Sequence, residues 1–490
     1  MKEEIGMALL RARVPIMSFP AIMVLVWVYL MNIQLYLNVS ASRGIIGSFA
    51  AYIPLVCDML YFLIGLLTDV YIGRYRAIMI GIVLCFISWI TTGILFILNS
   101  YGYLGKIWID PGVIINYIGV IVFSANIIQY NIDQLIGASA NELSTIIYWN
   151  IAAMPVANII SDWLRLTSTA TAEFTYIIVI GVALSLILVS HSLFKDKLEN
   201  ISLIKNPIKL IVGVLRYARK HKYPENRSAL TYWEEEAPSR LDLGKDKYGG
   251  PFTEEEVEDV KTFFRMLPLF IAIFGFGLIS FTFRGDCNKE SLVDCEMITL
   301  YDIFSITIVL LFFIYQFIIR RCFHKYIPSM LTKMGTGLFF ALCGCIVQLL
   351  MKIYALYYSL LIIQQILLGI SFFLILPTSF EFTVAQSPEY MRGMMVGLCY
   401  TSLAVGDAFV SVLLQSSFKN DLHYYSILCF LQLLILIMFV ILARRYKYRV
   451  RENEVNIVQI VDDHYQRYME QEDEYEKHQE SLENEIIIED

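Results

Sequence analysis

The sequence predicts an all-α membrane protein with 12 transmembrane helices in two six-helix bundles, and three observations carry that expectation. Apolar residues make up 57% of the 490 residues and charged ones only 17%, with a mean hydropathy of +0.60. A soluble domain of this size does not need so much apolar surface, whereas a membrane helix needs about 20 mostly apolar residues to cross roughly 30 Å of hydrocarbon. The apolar residues also gather into blocks of that length. Finally, a single long charged run, Lys195 to Lys261, divides six such blocks from six. The expected domains are an N-terminal bundle (1–194), a cytoplasmic linker with an amphipathic helix (195–262), a C-terminal bundle (263–443) and an acidic, disordered cytoplasmic tail (444–490).

In the first half the blocks run 16–38, 46–67, 77–98, 111–131, 145–164 and 172–194. Basic residues set their orientation, because Lys and Arg flanking spans are retained on the cytoplasmic side. Lys2, Arg11, Arg13, Arg74, Arg76 and the run from Arg444 to Lys447 all fall inside on this count, so both termini are cytoplasmic. No sorting motif selects the plasma membrane over an endolysosomal one. The sequon at Asn38 lies at the outer end of the first span, too near the membrane to favour glycan transfer, and that at Asn226 is cytoplasmic.

The turn from Gly65 through Asp69 and Gly73 to Arg74 and Arg76 is the sharpest local pattern of this half. Glycine permits a tight turn and close backbone approach, and Asp69 can take charge-assisted bonds from either arginine. It reads as a latch that breaks and reforms, or else as an ordinary hairpin with solvated charges. The fourth block is the most polar, with Asn116, Ser124, Asn126, Gln129, Tyr130 and Asn131 ahead of Asp133 and Gln134. Asn126 and Tyr130 share a helix face. In hydrocarbon such side chains face protein or a wet cavity, so they line a substrate cavity or hydrogen-bond between helices. Asp58 in the second block is costly unless paired or wet. Asp162 and Arg165 sit at the outer end of the fifth.

The linker opens a helix at Pro207, tolerated in a first turn, and continues to Lys222 with an apolar face and a basic end. That suits a helix lying on the inner leaflet or against the bundles. Thr253 followed by Glu256 forms a capping box that starts a helix leading into the seventh span, with Glu254 and Glu255 where the helix dipole favours acids.

The second-half blocks run 263–282, 299–319, 333–350, 354–379, 393–415 and 423–443. Glu381, near the inner end of the tenth, pairs across the bundles or titrates, and Asp407 in the eleventh is another buried acid. Pro388 and Arg392 shape the following inside turn. His191 and His423 lie at boundaries and read as interfacial. Of nine cysteines, Cys57, Cys85, Cys343, Cys345, Cys399 and Cys429 lie in apolar blocks as small fillers. Cys287 and Cys295 bracket an outer loop where a disulfide is an even alternative to free thiols. No CxxC or Cys/His cluster suggests a metal, and no cofactor is expected. The tail from Glu452 is acidic and poor in apolar residues. It offers itself to a cytoplasmic protein partner, or serves solubility alone.

Four segments in order, GLLTDVYIGRYR, NIIQYNIDQL, DLGKDKYGGPFTEEEVEDVKTFFRMLP and SFEFTVAQSPEYMRG, resemble the proton-coupled oligopeptide transporters, with the greatest likeness to the animal peptide–histidine branch. The likeness runs from about residue 40 to 443. It implies the major facilitator fold, alternating access about a central site, and symport of di- and tripeptides or histidine with protons. The resemblance also exposes departures. The first-helix Glu-x-x-Glu-Arg motif should fall at 19–23, where this chain reads Phe-Pro-Ala-Ile-Met, and no Asp or Glu occurs between Glu4 and Asp58. Ser124 stands where the family has a lysine for the peptide carboxylate, and Phe372 where it has a glutamate for the peptide amine. Asp69, Arg74, Asp133, Gln134, Glu381, Pro388 and Arg392 are retained, which implies that they serve the cytoplasmic hairpins and gate, with Gly65 and Gly73 as further gating-hairpin candidates.

A zwitterionic peptide needs opposite charges at the two ends of its pocket, since an unpaired buried charge is costly. Each lost charge removes on the order of a few kcal/mol of attraction. Free dipeptides are therefore expected to bind weakly, with Ser124, Asn126, Tyr130 and Phe372 as cavity candidates and Asp58, Glu381 and Asp407 as proton-coupling candidates. Three functions stay open: a proton-coupled transporter using other acids, a facilitative transporter of a less charged solute, and a non-transporting membrane interaction protein. The expected partners are the lipid bilayer, a small solute and protons, with no nucleic acid, and enzyme activity is not expected.

Overall fold

The computed structural model describes residues 18–42, 56–101, 111–135, 140–166, 172–198, 206–221, 239–280, 302–323, 326–354, 359–414 and 421–446. Cys287, Cys295, Asn226 and the tail from Glu452 lie outside the described residues, as does the side chain of Arg165.

Helices account for nearly all of it. In the first half these are α1 (Phe19–Ser42), α2 (Tyr61–Leu67, continued by a wide turn Thr68–Ile72), α3 (Arg74–Ser100), α4 (Pro111–Asp133), α5 (Ala140–Leu166) and α6 (Ala172–Phe194). The linker carries α7 (Pro207–Lys220). Next come α8 (Glu254–Met266), α9 (Ile271–Ser280), α10 (Ile303–Ile314, extended to Cys322), α11 (Met330–Tyr354), α12 (Ser359–Gln386), α13 (Arg392–Ala408, extended to Leu414) and α14 (Asp421–Arg445). Among the described residues, eleven helices are long and apolar enough to cross a membrane. The described part of α2 with its turn is shorter than a span and stands where the second block was expected.

Most helices outrun the predicted blocks, because backbone hydrogen bonding continues past the apolar residues into polar ends. The largest difference is at the seventh block. The helix expected from Thr253 and the span expected from 263 are one continuous rod, Glu254–Ser280. Pro268 falls in the tight turn Leu267–Phe270 that joins α8 to α9. Proline there removes one backbone donor, and the local tightening accommodates it.

The helices sort into two packed sets, before and after the linker. In the first, α1 packs on α4, α5 and α6, and α3 on α4 and α6. In the second, α11 packs on α12 and α14, and α9 on α13 and α14. Sequence dictates which face turns outward. On α3, Ile80, Val83, Ile87, Ile90, Ile94 and Ile97 recur at alternating spacings of three and four and are all exposed. Ala77, Ile78, Ile82, Cys85 and Ser88 fill the opposite, buried face. An exposed stripe this apolar is stable only in contact with hydrocarbon. Asn38 of the sequon is buried inside α1, which leaves its amide no access to a glycan donor.

The linker is folded. Asn206 caps α7 by accepting from the amides of Ile208 and Lys209. Thr253 and Glu256 form the reciprocal capping box at α8. Between them, Lys245 reaches Asp242 (3.0 Å), Glu254 (3.1 Å) and Glu258 (2.7 Å), and Lys261 reaches Asp242 and Glu258. Burial pushes the Asp242 carboxyl up, but hydrogen bonds from Lys261, Ser239 and Lys245 outweigh it and hold the group well below the usual range. Burial pushes Lys245 down, and its three carboxylate partners more than reverse this.

Two outcomes are expected. Thr253→Ala should cost about 1 kcal/mol locally, read as faster hydrogen exchange in the first turn of α8. Asp242 contributes stability that is present above the unfolded carboxylate value of about 4 and is lost only as pH falls through its lower folded value. Lys245 contributes stability present below about 10.5 and lost as pH rises through its higher folded value. Protection of residues 239–248, corrected for intrinsic exchange, should therefore be flat from mildly acidic to mildly alkaline pH.

Candidate functional site

The two helix sets meet along α2–α13, α5–α10 and α5–α12, and a cavity lies between the crossings. Its position depends first on α2 and α13. A Cβ on Gly65 would lie 2.9 Å from the carbonyl oxygen of Gly393. One on Gly397 would lie 2.7 Å from the carbonyl of Tyr61. Glycine at these positions is what lets two backbones from different halves touch. The backbone N–H of Phe62 donates to Thr401 Oγ1 at 3.1 Å, and Tyr61 stacks on Tyr400 with ring centres 4.7 Å apart.

At one end of this contact stands the acid–base network of the short hairpins. Gly73 turns the chain between α2 and α3 with φ of 86°, a conformation glycine adopts without strain. The turn brings Arg74 Nε to Asp69 Oδ1 at 2.8 Å, and Arg74 Nη1 to Asp133 Oδ2 at 2.9 Å. Gln129 donates to the other oxygen of Asp133 at 3.0 Å. All three charges are buried. The Asp69 carboxylate lies directly over Gly393 of the second half, where any Cβ would overlap it. The Gln134 carbonyl accepts from Ser18 at 2.9 Å, fixing the start of α1 to the end of α4. Pro388 and Arg392 are buried at the matching turn between α12 and α13. Tyr390 in that turn donates to Asp259 of α8 at 2.6 Å.

Glu381 lies on the same side and pairs across the halves. Ser144 of α5 donates to its Oε1 at 2.6 Å, and Lys333 of α11 stands 3.9 Å from its Oε2. Arg320 of α10 donates to Thr145 of α5 at 2.7 Å beside it. At the opposite end, Asn158 of α5 donates to Ser305 at 3.1 Å and to Asp302. The halves are thus joined at both ends, with the cavity between them.

The cavity measures about 280 Å³. Its polar lining comes from Asn32, Tyr36, Asp58, Tyr61, Tyr117 and Ser124, together with Asn150, Tyr400 and Asp407. Ser280 donates to Asp407 at 2.8 Å. Among the described lining residues there are two carboxylates and no Lys, Arg or His.

Of the residues singled out by sequence, Ser124, Asp58 and Asp407 come together here. Asn126 does not line the cavity: its Oδ1 accepts from Thr68 at 2.6 Å and its amide donates to Val122 at 2.8 Å. Tyr130 lies beside Tyr75, ring centres 6.3 Å apart. Both are turned well away from Ser124 because successive helix residues rotate by about 100°, and the α4 residues that line the cavity, Tyr117, Val120, Ile121, Phe123, Ser124, Ile127 and Ile128, share the face of Ser124. Phe372 packs edge-on against Phe276 and Phe304 at 5.7 and 5.8 Å, outside the lining. Glu381 is also outside it. Phe19 and Ile22, where the first-helix acidic motif was expected, are exposed on the outer surface, and α1 reaches the cavity only from Val28 onward. The sequence reading missed Tyr61, Tyr117, Asn150 and Tyr400. Asn150 carried a usable signal as a polar residue in the middle of an apolar block.

The sequence model of the PTR2 family, described as the POT family, matches residues 295–427. This segment includes Glu381, Pro388, Arg392 and Asp407. Solved structures share the fold over nearly the whole chain. The POT family transporter PepTSo is 15% identical, covers 87% of this chain and 98% of its own, and superposes with a TM-score of 0.64. An auto-inhibited POT family peptide transporter is 14% identical over 89% and 99% of the two chains, with a TM-score of 0.63. The human organic anion transporter MFSD10 is 12% identical over 86% and 100%, with a TM-score of 0.55.

Arg74→Ala should leave Asp69 and Asp133 as buried, unpaired charges, at about 3–5 kcal/mol. The expected readout is a large fall in the thermal midpoint in detergent, with Arg74→Lys intermediate because a point charge lacks the guanidinium's two-sided fork. The chain is thus similar in fold, over most of its length, to these transporters and matches the POT family pattern over residues 295–427, with eleven helices among the described residues long and apolar enough to cross a membrane.

Proposed function

We propose that the protein is an alternating-access transporter in which Asp58 and Asp407 carry the coupling proton. Its solute is small, and is uncharged or bears an amine without a matching carboxylate. The observation that carries this reading is the cavity lining, with two carboxylates and no base among the described residues. Two like charges facing one small, low-dielectric space repel each other, and a proton or a bound amine relieves that repulsion. A proton on one acid and the amine at the other relieve that repulsion together, and such joint occupancy is what a symporter driven by an inward proton gradient requires. A peptide carboxylate would enter beside two acids with no cation to receive it, a costly arrangement. The volume, about 280 Å³, sits just below the usual range of roughly 300–1,000 Å³ for small-molecule sites. It suits a solute the size of one amino acid better than a tripeptide.

The absence of any acid between Glu4 and Asp58 supports the view that coupling does not use the first helix. Glu381 serves the closure instead, since its contacts are to Ser144 and Lys333 on neighbouring helices rather than to the cavity. The closures on both sides of the cavity support transport over a purely structural role, because a static scaffold has no use for charged contacts between its halves that can separate at either end in turn.

Uptake by purified protein in liposomes tests this reading, with histamine, histidine and alanyl-alanine as labelled solutes and an inward proton gradient imposed or collapsed. Histamine should accumulate best under the gradient, histidine less and the dipeptide least. Asp58→Asn and Asp407→Asn should each reduce gradient-driven accumulation roughly tenfold or more, as expected for loss of a desolvated charge partner, while exchange of solute at equal pH persists. Uptake indifferent to the gradient would move the protein to facilitated diffusion. Preference for the dipeptide would overturn the reading of the cavity.

A further inference from the structure

We infer that α7, the linker helix, is a docking face for the anionic lipid headgroups of the adjacent leaflet, so that the linker is a lipid-sensing element. The helix is amphipathic in an unusual way: it has two apolar faces. One is used. Pro207, Ile211, Val214 and Ala218 are buried, and α7 packs on α8 and on the turn Asp242–Gly244. Gly213 and Tyr217 fit against the ring of Phe252. The other apolar face is a separate stripe. Ile208, Val212 and Leu215, spaced four and three residues apart, are 36%, 44% and 41% exposed. Because the first face is fixed to α8, α7 cannot rotate to bury the second.

Beside this stripe, about 100° round the helix, run Lys209, Arg216 and Lys220, all exposed. Arg219 closes the C-terminal end of the apolar stripe. Among the described residues none of the four forms an ion pair. The helix dipole accounts for cations in the last turn but not for Lys209 in the first, where a positive charge is unfavourable. Among the described linker acids, Asp242, Glu254 and Glu258 are taken up by Lys245 and Lys261, and Glu256 accepts from the Thr253 amide.

An apolar stripe flanked by long basic side chains matches the boundary between acyl chains and anionic headgroups, with the cations reaching outward. Position supplies the remaining argument. The rod from Glu254 to Ser280 begins in the linker and is long and apolar enough to cross a membrane, and α7 packs on its first part, which would place α7 near the surface from which that span emerges. Tyr390 of the α12–α13 turn bonds Asp259 of the same rod at 2.6 Å, which connects the linker to the gating turn beside Arg392.

Full-length protein carrying Val212→Cys, labelled with a polarity-sensitive fluorophore, tests the inference, with the unsubstituted protein as the control for background labelling. The protein is placed in nanodiscs of pure phosphatidylcholine or of phosphatidylcholine with phosphatidylserine. With phosphatidylserine the emission should shift to the blue, and brominated lipid should quench it better than aqueous iodide. K209Q/R216Q/R219Q/K220Q should reverse this, by roughly fivefold in the docked-to-free ratio for each cation removed. High salt on the protein with its basic residues intact screens the same attraction, and decides the matter if the quadruple variant melts early. Equal iodide quenching in both lipids would overturn the inference. So would shielding that persists in detergent and vanishes on removal of residues 447–490, which would make the acidic tail the occupant.

Discussion

Everything in this molecule depends on two backbones from opposite halves lying in contact where α2 crosses α13. The contact exists because Gly65, Gly393 and Gly397 present no side chains to each other. That absence sets the Asp69 carboxylate directly over Gly393, with its charge met by Arg74 from the other side. Dispersion at such a crossing is sensitive to distance, so the joint is either closed with its full contact energy or open with little of it. Packed interfaces of this kind switch between discrete arrangements instead of deforming gradually. The network of Asp69, Arg74 and Asp133 belongs wholly to the first half, so its ion pairs are made without any atom of Gly393. A closure built this way opens without leaving a buried charge unpaired.

The cavity follows from the same geometry. Tyr61 and Tyr400 stack one turn above the glycine contact, so the ring pair forms a floor, and above it stand Asp407 on α13 and Asp58, which precedes α2 across a turn at residues 59–60. Opening at the glycines therefore moves both acids relative to each other and to α4. On the proposed reading, protonation or solute binding at the acids would be linked to closure at the glycines through α13 and the segment leading into α2, with no separate relay required.

Much of this was legible in the sequence. The apolar blocks located the helices because hydrocarbon admits few alternatives. The hairpin around Asp69 and Arg74 was legible because its glycines and charges fall within one turn. The cavity was not, and α4 shows why. Ser124 and Asn126 are equally expensive in lipid, and sequence says only that each must meet protein or water. Which of the two occurs depends on which neighbour lies at a rotation of about 200°, and that is set by α2 and α13 rather than by α4 itself. Aromatic residues posed a similar difficulty: Tyr61 and Tyr400 read as ordinary filler until the fold brought them together. The residues at the family's first-helix motif positions, Phe19 and Ile22, face outward, and motif position alone did not say so because it does not fix helix rotation.

The measurement that bears most directly on the account is a pair of spin-label distances across the two ends of the molecule, taken as pH is varied. Tyr71 and Tyr326, exposed on the side of the short hairpins, report one end; Tyr101 and Tyr354, also exposed, report the other. If the halves rock about a cavity governed by Asp58 and Asp407, each pair should show a short and a long distance. The two ends should change in opposite senses as the acids titrate, and Asp58→Asn with Asp407→Asn should remove that pH dependence. A single unchanging distance at both ends, or simultaneous lengthening at both, would contradict alternating access.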